Sequence, residues 1–146
     1  FKETDVRDMG RNAAGVRGIR LKKKEDAVVG MGIIKNDKEK IKKYQLLAIS
    51  EHGFGKRSSV GLYKTQGRGG SGVKTAKVTA KTGKLINAFV VNAESMEIKD
   101  IIIISEKGQV IRLPFKSVNQ LGRDTQGVRL MRFKEESDKV ACVTWV

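Results

Sequence analysis

Nine cations return at fixed places in three short motifs, and that recurrence is the chemistry the sequence offers first. Each motif has a cation straight after its first glycine (Arg11, Arg68, Arg123) and another two residues after its second (Arg17, Lys74, Arg129). A third follows three further on (Arg20, Lys77, Arg132). Evenly returning cations suit a polymer with evenly spaced phosphates, and glycines let backbone N–H groups approach those phosphates closely. Catalysis finds less to work with. His52 is the only histidine and occupies a turn where the next repeat has Lys107. With one Cys and one His, a His/Cys metal cluster is excluded. Cys142 lies in Val140-Ala141-Cys142-Val143, which reads as core strand rather than as a nucleophile. Gly67-x-Gly69-x-x-Gly72 has the form of a dinucleotide fingerprint, but that motif must open a helix. Here the residues that follow, Val73 to Thr79, are β-prone. No catalytic residue, metal or cofactor is therefore expected in this chain.

What must position the cations is an internal repeat. Gly10 and Gly67 are 57 residues apart, and Gly67 and Gly122 are 55 apart. Thirteen residues after each second glycine (Gly15, Gly72, Gly127) comes an apolar strand residue: Val28, Leu85 and Val140. Ser50-Glu51-His52-Gly53 and Ser105-Glu106-Lys107-Gly108 each place a turn glycine fourteen residues before the Gly-Arg pair. The first repeat lacks that hairpin and the chain opens on Phe1, so the sequence reads as part of something longer. A repeated supersecondary unit of this length implies a propeller-like array or a solenoid. The units run over 1–34, 44–91 and 99–146.

Within the units, Val16–Leu21 and Ala27–Ile34 read as a hairpin across the polar turn 22–26. Leu46–Ile49 and Ile101–Ile104 are continuous apolar runs, which suits strands buried on both faces. Lys56–Tyr63 and Gln109–Phe115 read as outer strands with cations among apolar residues, which brings Lys56 and Arg57 into the candidate surface. Pro114 belongs on an edge or at a strand end. Stretches 36–43 and 92–99 read as connections between repeats. Each complete unit then has four strands, and 16 glycines fit a chain of tight turns.

Thirty Lys and Arg against sixteen Asp and Glu leave a net charge of +14, while 39% of residues are apolar. A basic excess on a foldable chain points to a polyanionic partner. Aromatics make up 5% of residues, too few for a base-stacking platform, so duplex DNA held through its backbone fits best. Tyr44, Tyr63 and Trp145 are expected in core or strand-end packing, with no part in DNA binding. A single cysteine fits a reducing compartment, and no apolar run is long enough to span a membrane.

Val6-Arg7-Asp8-Met9-Gly10-Arg11 with Gly15 to Leu21, Gly53-Phe54-Gly55-Lys56-Arg57, Gln66 to Gly72, and Gly122 to Val128 together resemble the C-terminal domain of the DNA gyrase A subunit. The resemblance implies an all-β fold, a propeller-like β-pinwheel of four-stranded blades, of which this chain would supply about three of six. It implies duplex wrapping without sequence preference, in support of ATP-dependent negative supercoiling by a bacterial, cytoplasmic, nucleoid-associated enzyme. Strand cleavage and the metal site would belong to an upstream domain and ATP hydrolysis to the B subunit, so the full enzyme would use ATP and Mg2+ through other domains and the partner subunit. Gln66, Gly67, Arg68, Gly69, Gly70, Ser71 and Gly72 resemble the family's gyrase A box, Gln-Arg-Arg-Gly-Gly-Lys-Gly. Gly67 and Ser71 replace two of its cations, and a whole repeat precedes it, which implies a box-like copy in a later blade.

Two rivals stand beside this reading. The C-terminal domain of the topoisomerase IV A subunit is similar and bends DNA for decatenation. A propeller-like protein-interaction scaffold would bind a folded partner with little dependence on the repeated cations. Half a ring also leaves unpaired strand edges, to be covered by further blades or by self-association.

Overall fold

The computed structural model describes residues 1–34, 40–96 and 99–146. They divide into two compact units, one of residues 1–28 with 63–73 and the other of residues 29–62 with 74–146.

The larger unit is built from two antiparallel sheets. β1 (Tyr44–Ser50) and β2 (Phe54–Ser59) form a hairpin, and β3 (Leu85–Asn92) pairs with the far side of β1. β4 (Asp100–Ser105) and β5 (Val110–Pro114) form the second hairpin. The two-residue β6 (Val128–Arg129) pairs with β2, and β7 (Val140–Trp145) pairs with β4. The strand orders are β3-β1-β2-β6 and β5-β4-β7. Both hairpins close on the expected glycines: Gly53 has φ 74 and Gly108 φ 82, a backbone region glycine enters without a Cβ penalty. Their N–H groups donate to Ser50 O and Ser105 O, each at 3.0 Å.

The sheets share one core. Leu47 and Ile49 of β1, Ile101 and Ile103 of β4, and Phe115 and Val118 beyond β5 are all essentially inaccessible. Trp145 meets Phe89 and Phe115 edge-on, with ring centroids 5.3 and 5.9 Å away, the internal packing expected of it. β1 is covered on both faces from Leu47 to Ser50, as its continuous apolar run implies, whereas β4 buries Ile101 and Ile103 and leaves Ile102 and Ile104 half-covered. Pro114 ends β5 on the open side of its sheet, where a missing N–H costs no ladder bond.

Three expectations are corrected. First, β2 is an interior strand, because Val128–Arg129 of the following sequence unit takes the outer place beside it. Second, Cys142 is exposed: β7 has β4 on one side only and turns Val140 and Val143 into the core. Third, neither half of the expected 16–34 hairpin is a strand. In the later repeats the matching strands, β3 and β7, pair with β1 and β4. Among the described residues the first repeat has no counterpart of β1 and β4. Residues 29–33 instead bring Gly30 and Gly32 against β3, where a Cβ would sit 2.7 Å from Ala88 O and 2.6 Å from Val90 Cγ2. Met31 and Ile33 face solvent at 90% and 86% exposure. The all-β reading holds, with one four-stranded and one three-stranded sheet among the described residues where four-stranded blades were expected.

The expected connections are partly visible, as a 3-10 turn at Lys40–Lys43 and one helical turn, α1, at Ala93–Met96; residues 35–39 and 97–98 of those stretches lie outside the described residues. No described helix is long and apolar enough to cross a membrane. In the smaller unit, Gly69 N donates to Gly18 O at 2.8 Å and Arg20 N to Gly70 O at 2.9 Å, so the box-like loop is laced to residues 18–20.

Candidate nucleic-acid interface

The second glycine of each motif, Gly15, Gly72 and Gly127, takes the same left-handed conformation, with φ of 80, 72 and 82. Three equivalent turns thus set the backbone that carries the repeated cations. The first glycines, Gly10, Gly67 and Gly122, have ordinary φ values.

Around the third motif the structure shows how such a turn is held. Lys56 is 2% exposed, and its ammonium donates to Gly122 O at 2.7 Å, to Arg123 O, and to Thr125 Oγ1 at 2.9 Å. Thr125 Oγ1 in turn donates to Gly122 O at 2.9 Å. Burial pushes the Lys56 pKa down, against the pull of Asp124. Because C=O and N–H point oppositely across a trans peptide, the carbonyls drawn to Lys56 turn the N–H groups of Arg123 and Asp124 away from it.

Lys56 was expected among the phosphate-facing cations, and the structure corrects this: the ammonium is an internal clamp. Arg57 is half-exposed and anchored rather than buried. Its Nε donates to Val118 O at 2.6 Å, its Nη2 to Lys116 O at 3.3 Å, and its guanidinium lies over the Phe115 ring at 4.8 Å. The partners of both side chains lie in the 116–125 stretch, which runs past β2.

Lys74, Lys77 and Arg123 are brought side by side. Lys77 N donates to Thr125 O at 3.0 Å, and Arg123 Nη1 to Lys74 O at 2.8 Å. Lys74 Nζ stands 3.5 Å from Asp124, both side chains being more than half exposed, so the ion pair leaves the ammonium open to solvent. Arg129, on β6, is exposed and spreads its guanidinium over the Phe54 ring at 5.1 Å, which restricts the side chain without neutralising it. Lys81 reaches the same ring at 5.7 Å. Sequence reasoning missed Lys81, and no repeat signal could have shown it, since the matching position of the third repeat is Glu136. Arg132 is exposed too, its backbone carbonyl accepting from Gln109 Nε2 at 2.6 Å. Among the described residues, Lys77, Arg129 and Arg132 make no ion pair.

In the smaller unit Arg11, Arg17 and Arg20 are exposed. Arg68 is exposed as well, but its Nε donates to Asp5 O at 3.1 Å, so it fastens the box-like loop. Gln66 Nε2 donates to the nearby carbonyls of Lys64 and Thr65, Gly67 has open space where a Cβ would be, and Ser71 is exposed. His52 sits in its turn with Nδ1 3.1 Å from Lys81 O. No group of three or more His, Cys, Asp or Glu among the described residues is placed to hold a metal ion.

The family model for the DNA gyrase C-terminal domain, beta-propeller, matches residues 1–35, 44–92 and 99–141. The chain is similar to the DNA gyrase A subunit of Staphylococcus epidermidis, 38% identical over 132 residues, covering 90% of this chain and 14% of that protein. It is 41% identical over 142 residues to the DNA gyrase A subunit of Deinococcus deserti, covering 97% of this chain and 17% of that protein. The chain therefore spans a small part of the length of the curated relatives it matches. The solved structure of a DNA gyrase A C-terminal domain superposes with a TM-score of 0.74 at 26% identity, over 97% of this chain and 44% of that one. A topoisomerase IV C-terminal domain superposes at 0.82 and 20% identity, over 98% and 41%, a likeness of fold. With most of its length matched in three segments, the chain belongs to the DNA gyrase C-terminal domain family, with its beta-propeller fold.

Proposed function

We propose that this chain binds duplex DNA through the phosphates, with little sequence preference, and acts as a DNA-wrapping part of a gyrase A subunit. The observation that carries the reading is the return of exposed cations beside equivalent left-handed glycines: Arg17 and Arg20 after Gly15, Lys74 and Lys77 after Gly72, Arg129 and Arg132 after Gly127. Cations anchored by backbone turns or by an aromatic face lose little freedom on meeting phosphate. Trp145, Phe89 and Phe115 are occupied with one another, which favours backbone contact over base stacking. Strand cleavage and its metal site belong, on this reading, to the remainder of the A subunit, and ATP hydrolysis to the B subunit. Wrapping sets the sign of the DNA crossing that they resolve.

Titration with mixed-sequence duplex at several salt concentrations tests the binding. If about six cations meet phosphate, log K falls against log salt with a slope near −5. Neutralising Lys74, Lys77, Arg129 and Arg132 together should reduce that slope by about 3.6. A flat salt response, or a quadruple variant with unchanged slope, overturns the proposal in favour of a protein-binding scaffold. Negative supercoiling of relaxed circular DNA by the whole enzyme, lost on the same neutralisation, separates a gyrase role from decatenation.

A further inference from the structure

Phe54, the first residue of β2, is 6% exposed, and two cations from different sequence units lie over its ring. Arg129, its partner across the β2–β6 pair, stands 5.1 Å from the ring centroid, and the Lys81 ammonium stands 5.7 Å from it. The two charges are therefore no further apart than those distances end to end. All three residues belong to the larger unit.

The turn that carries Lys81 is tied to the β1–β2 hairpin. Lys81 O lies 3.1 Å from His52 Nδ1, which must carry the proton and donate it, since a carbonyl only accepts. Thr82 O accepts from His52 N at 3.1 Å, while Thr82 N and Gly83 N donate to Thr79 O at 3.2 and 2.9 Å. A backbone fixed this way projects the lysine from a set place, so less freedom is lost when its ammonium meets a ligand. The nearby Glu51 carboxylate is already engaged by Lys84 N and Lys139 Nζ. Among the described residues neither Lys81 nor Arg129 makes an ion pair. Two like charges held at one ring repel each other, and an anion between them relieves that repulsion.

The third repeat has no such cluster. Gln109 takes the place of Phe54 and Glu136 that of Lys81. Gln109 turns to the main chain instead, its Nε2 donating to Arg132 O at 2.6 Å and its Oε1 accepting from Lys134 N at 3.1 Å. The neighbouring Glu135 pairs with Lys107. That turn is acidic where the turn of the second repeat is basic.

We propose that Lys81 and Arg129 form a seat for the phosphates of one DNA strand, with the Phe54 ring as the group that positions both. The seat rests on the duplex-binding reading above and adds two things to it: a contact outside the repeated motif, and an inequality between the sheets. The β3-β1-β2-β6 sheet grips the duplex at its hairpin turn, whereas the β5-β4-β7 sheet, with Glu135 and Glu136 at the matching turn, does not.

Titrating the chain with mixed-sequence duplex over a range of salt concentrations tests this. Lys81→Met should weaken binding several-fold at roughly 0.1 M salt and make the slope of log K against log salt shallower by about 0.9. Lys81→Arg keeps the charge and should keep both values. Lys107→Met removes an equal charge from the third repeat and should leave the slope at that of the parent. Phe54→Leu retains both cations, so the slope should hold while affinity falls about threefold. A parent chain with a flat salt response overturns the seat together with the reading it rests on. A steep parent response that Lys81→Met leaves unchanged, or that Lys107→Met reduces as much, overturns the seat alone. Parent-like affinity in Phe54→Leu removes the ring from it.

Discussion

Lys56 shows what a single residue's surroundings decide. In the sequence it stands in a basic stretch, Gly55-Lys56-Arg57, like any cation on an outer strand. In the fold it is a buried donor serving two carbonyls and a hydroxyl of the 122–125 turn. Removing it strands those acceptors, and an orphaned buried polar group costs about 1–3 kcal/mol. Lys56→Met should therefore lower unfolding free energy in urea by about 2–4 kcal/mol. Lys77→Met, at an exposed cation, should stay within about 0.5 kcal/mol. Equal effects would mean that Lys56 is solvated. The pattern of charges could not distinguish the two lysines, because what covers Lys56 lies more than sixty residues away in sequence.

At the scale of elements, three equivalent turns have unequal neighbours. Gly15 and Gly127 share a left-handed φ, and an alanine at either pays the Cβ penalty of about 1–2 kcal/mol. At Gly15 nothing lies within 4 Å of the added carbon, whereas at Gly127 it meets Gly55 O at 2.7 Å and Gly55 C at 3.0 Å. Gly127→Ala must then push β6 off β2, and its melting temperature should fall several degrees further than that of Gly15→Ala. Matching losses would refute close β2–β6 pairing. The repeat marked both glycines as turns, because positive φ is a local demand. It was silent on which turn is pressed against another strand, and for the same reason it over-read residues 16–34 as a hairpin.

At the scale of the molecule, the two sheets of the larger unit are joined at Glu51. Its backbone carbonyl accepts from Val140 N at 2.9 Å, and its carboxylate from Lys84 N at 2.7 Å and Lys139 Nζ at 3.0 Å. The Lys84 N–H, then the Lys139 side chain, hold the Glu51 carboxyl below the usual carboxylate range, and Lys139 is raised by the same contact. Nearby, burial pushes the Asp138 carboxyl up, but hydrogen bonds from Ser105 and from the N–H groups of Lys107 and Lys139 outweigh it and leave it lowered. Both carboxyls bind a proton less readily folded than unfolded. Their contribution is complete above an unfolded pKa of about 4 and is lost as pH falls through the lower folded values. Lys139, raised, contributes below its ordinary pKa and loses that contribution only in alkali. Melting temperature should thus be level near neutrality and drop below about pH 5, with Glu51→Gln showing a shallower drop. An unchanged acid profile for Glu51→Gln would remove Glu51 from this role.

The sequence by itself determined the apolar strands around Leu46–Ile49 and Ile101–Ile104, the glycine turns, the threefold return of the cations and the excess of positive charge. Each is a local property, carried by apolar runs, by backbone freedom at one residue or by counting. Only the tertiary structure decided which strand lies beside which. That choice placed Val128–Arg129 against β2, drew Lys56 inward, anchored Arg57 and left Lys74, Lys77, Arg129 and Arg132 facing solvent. It had to wait for the fold because equal motifs carry equal local signals, while a hydrogen-bonding edge takes whichever distant segment fits its shape and leaves the fewest polar groups unpaired.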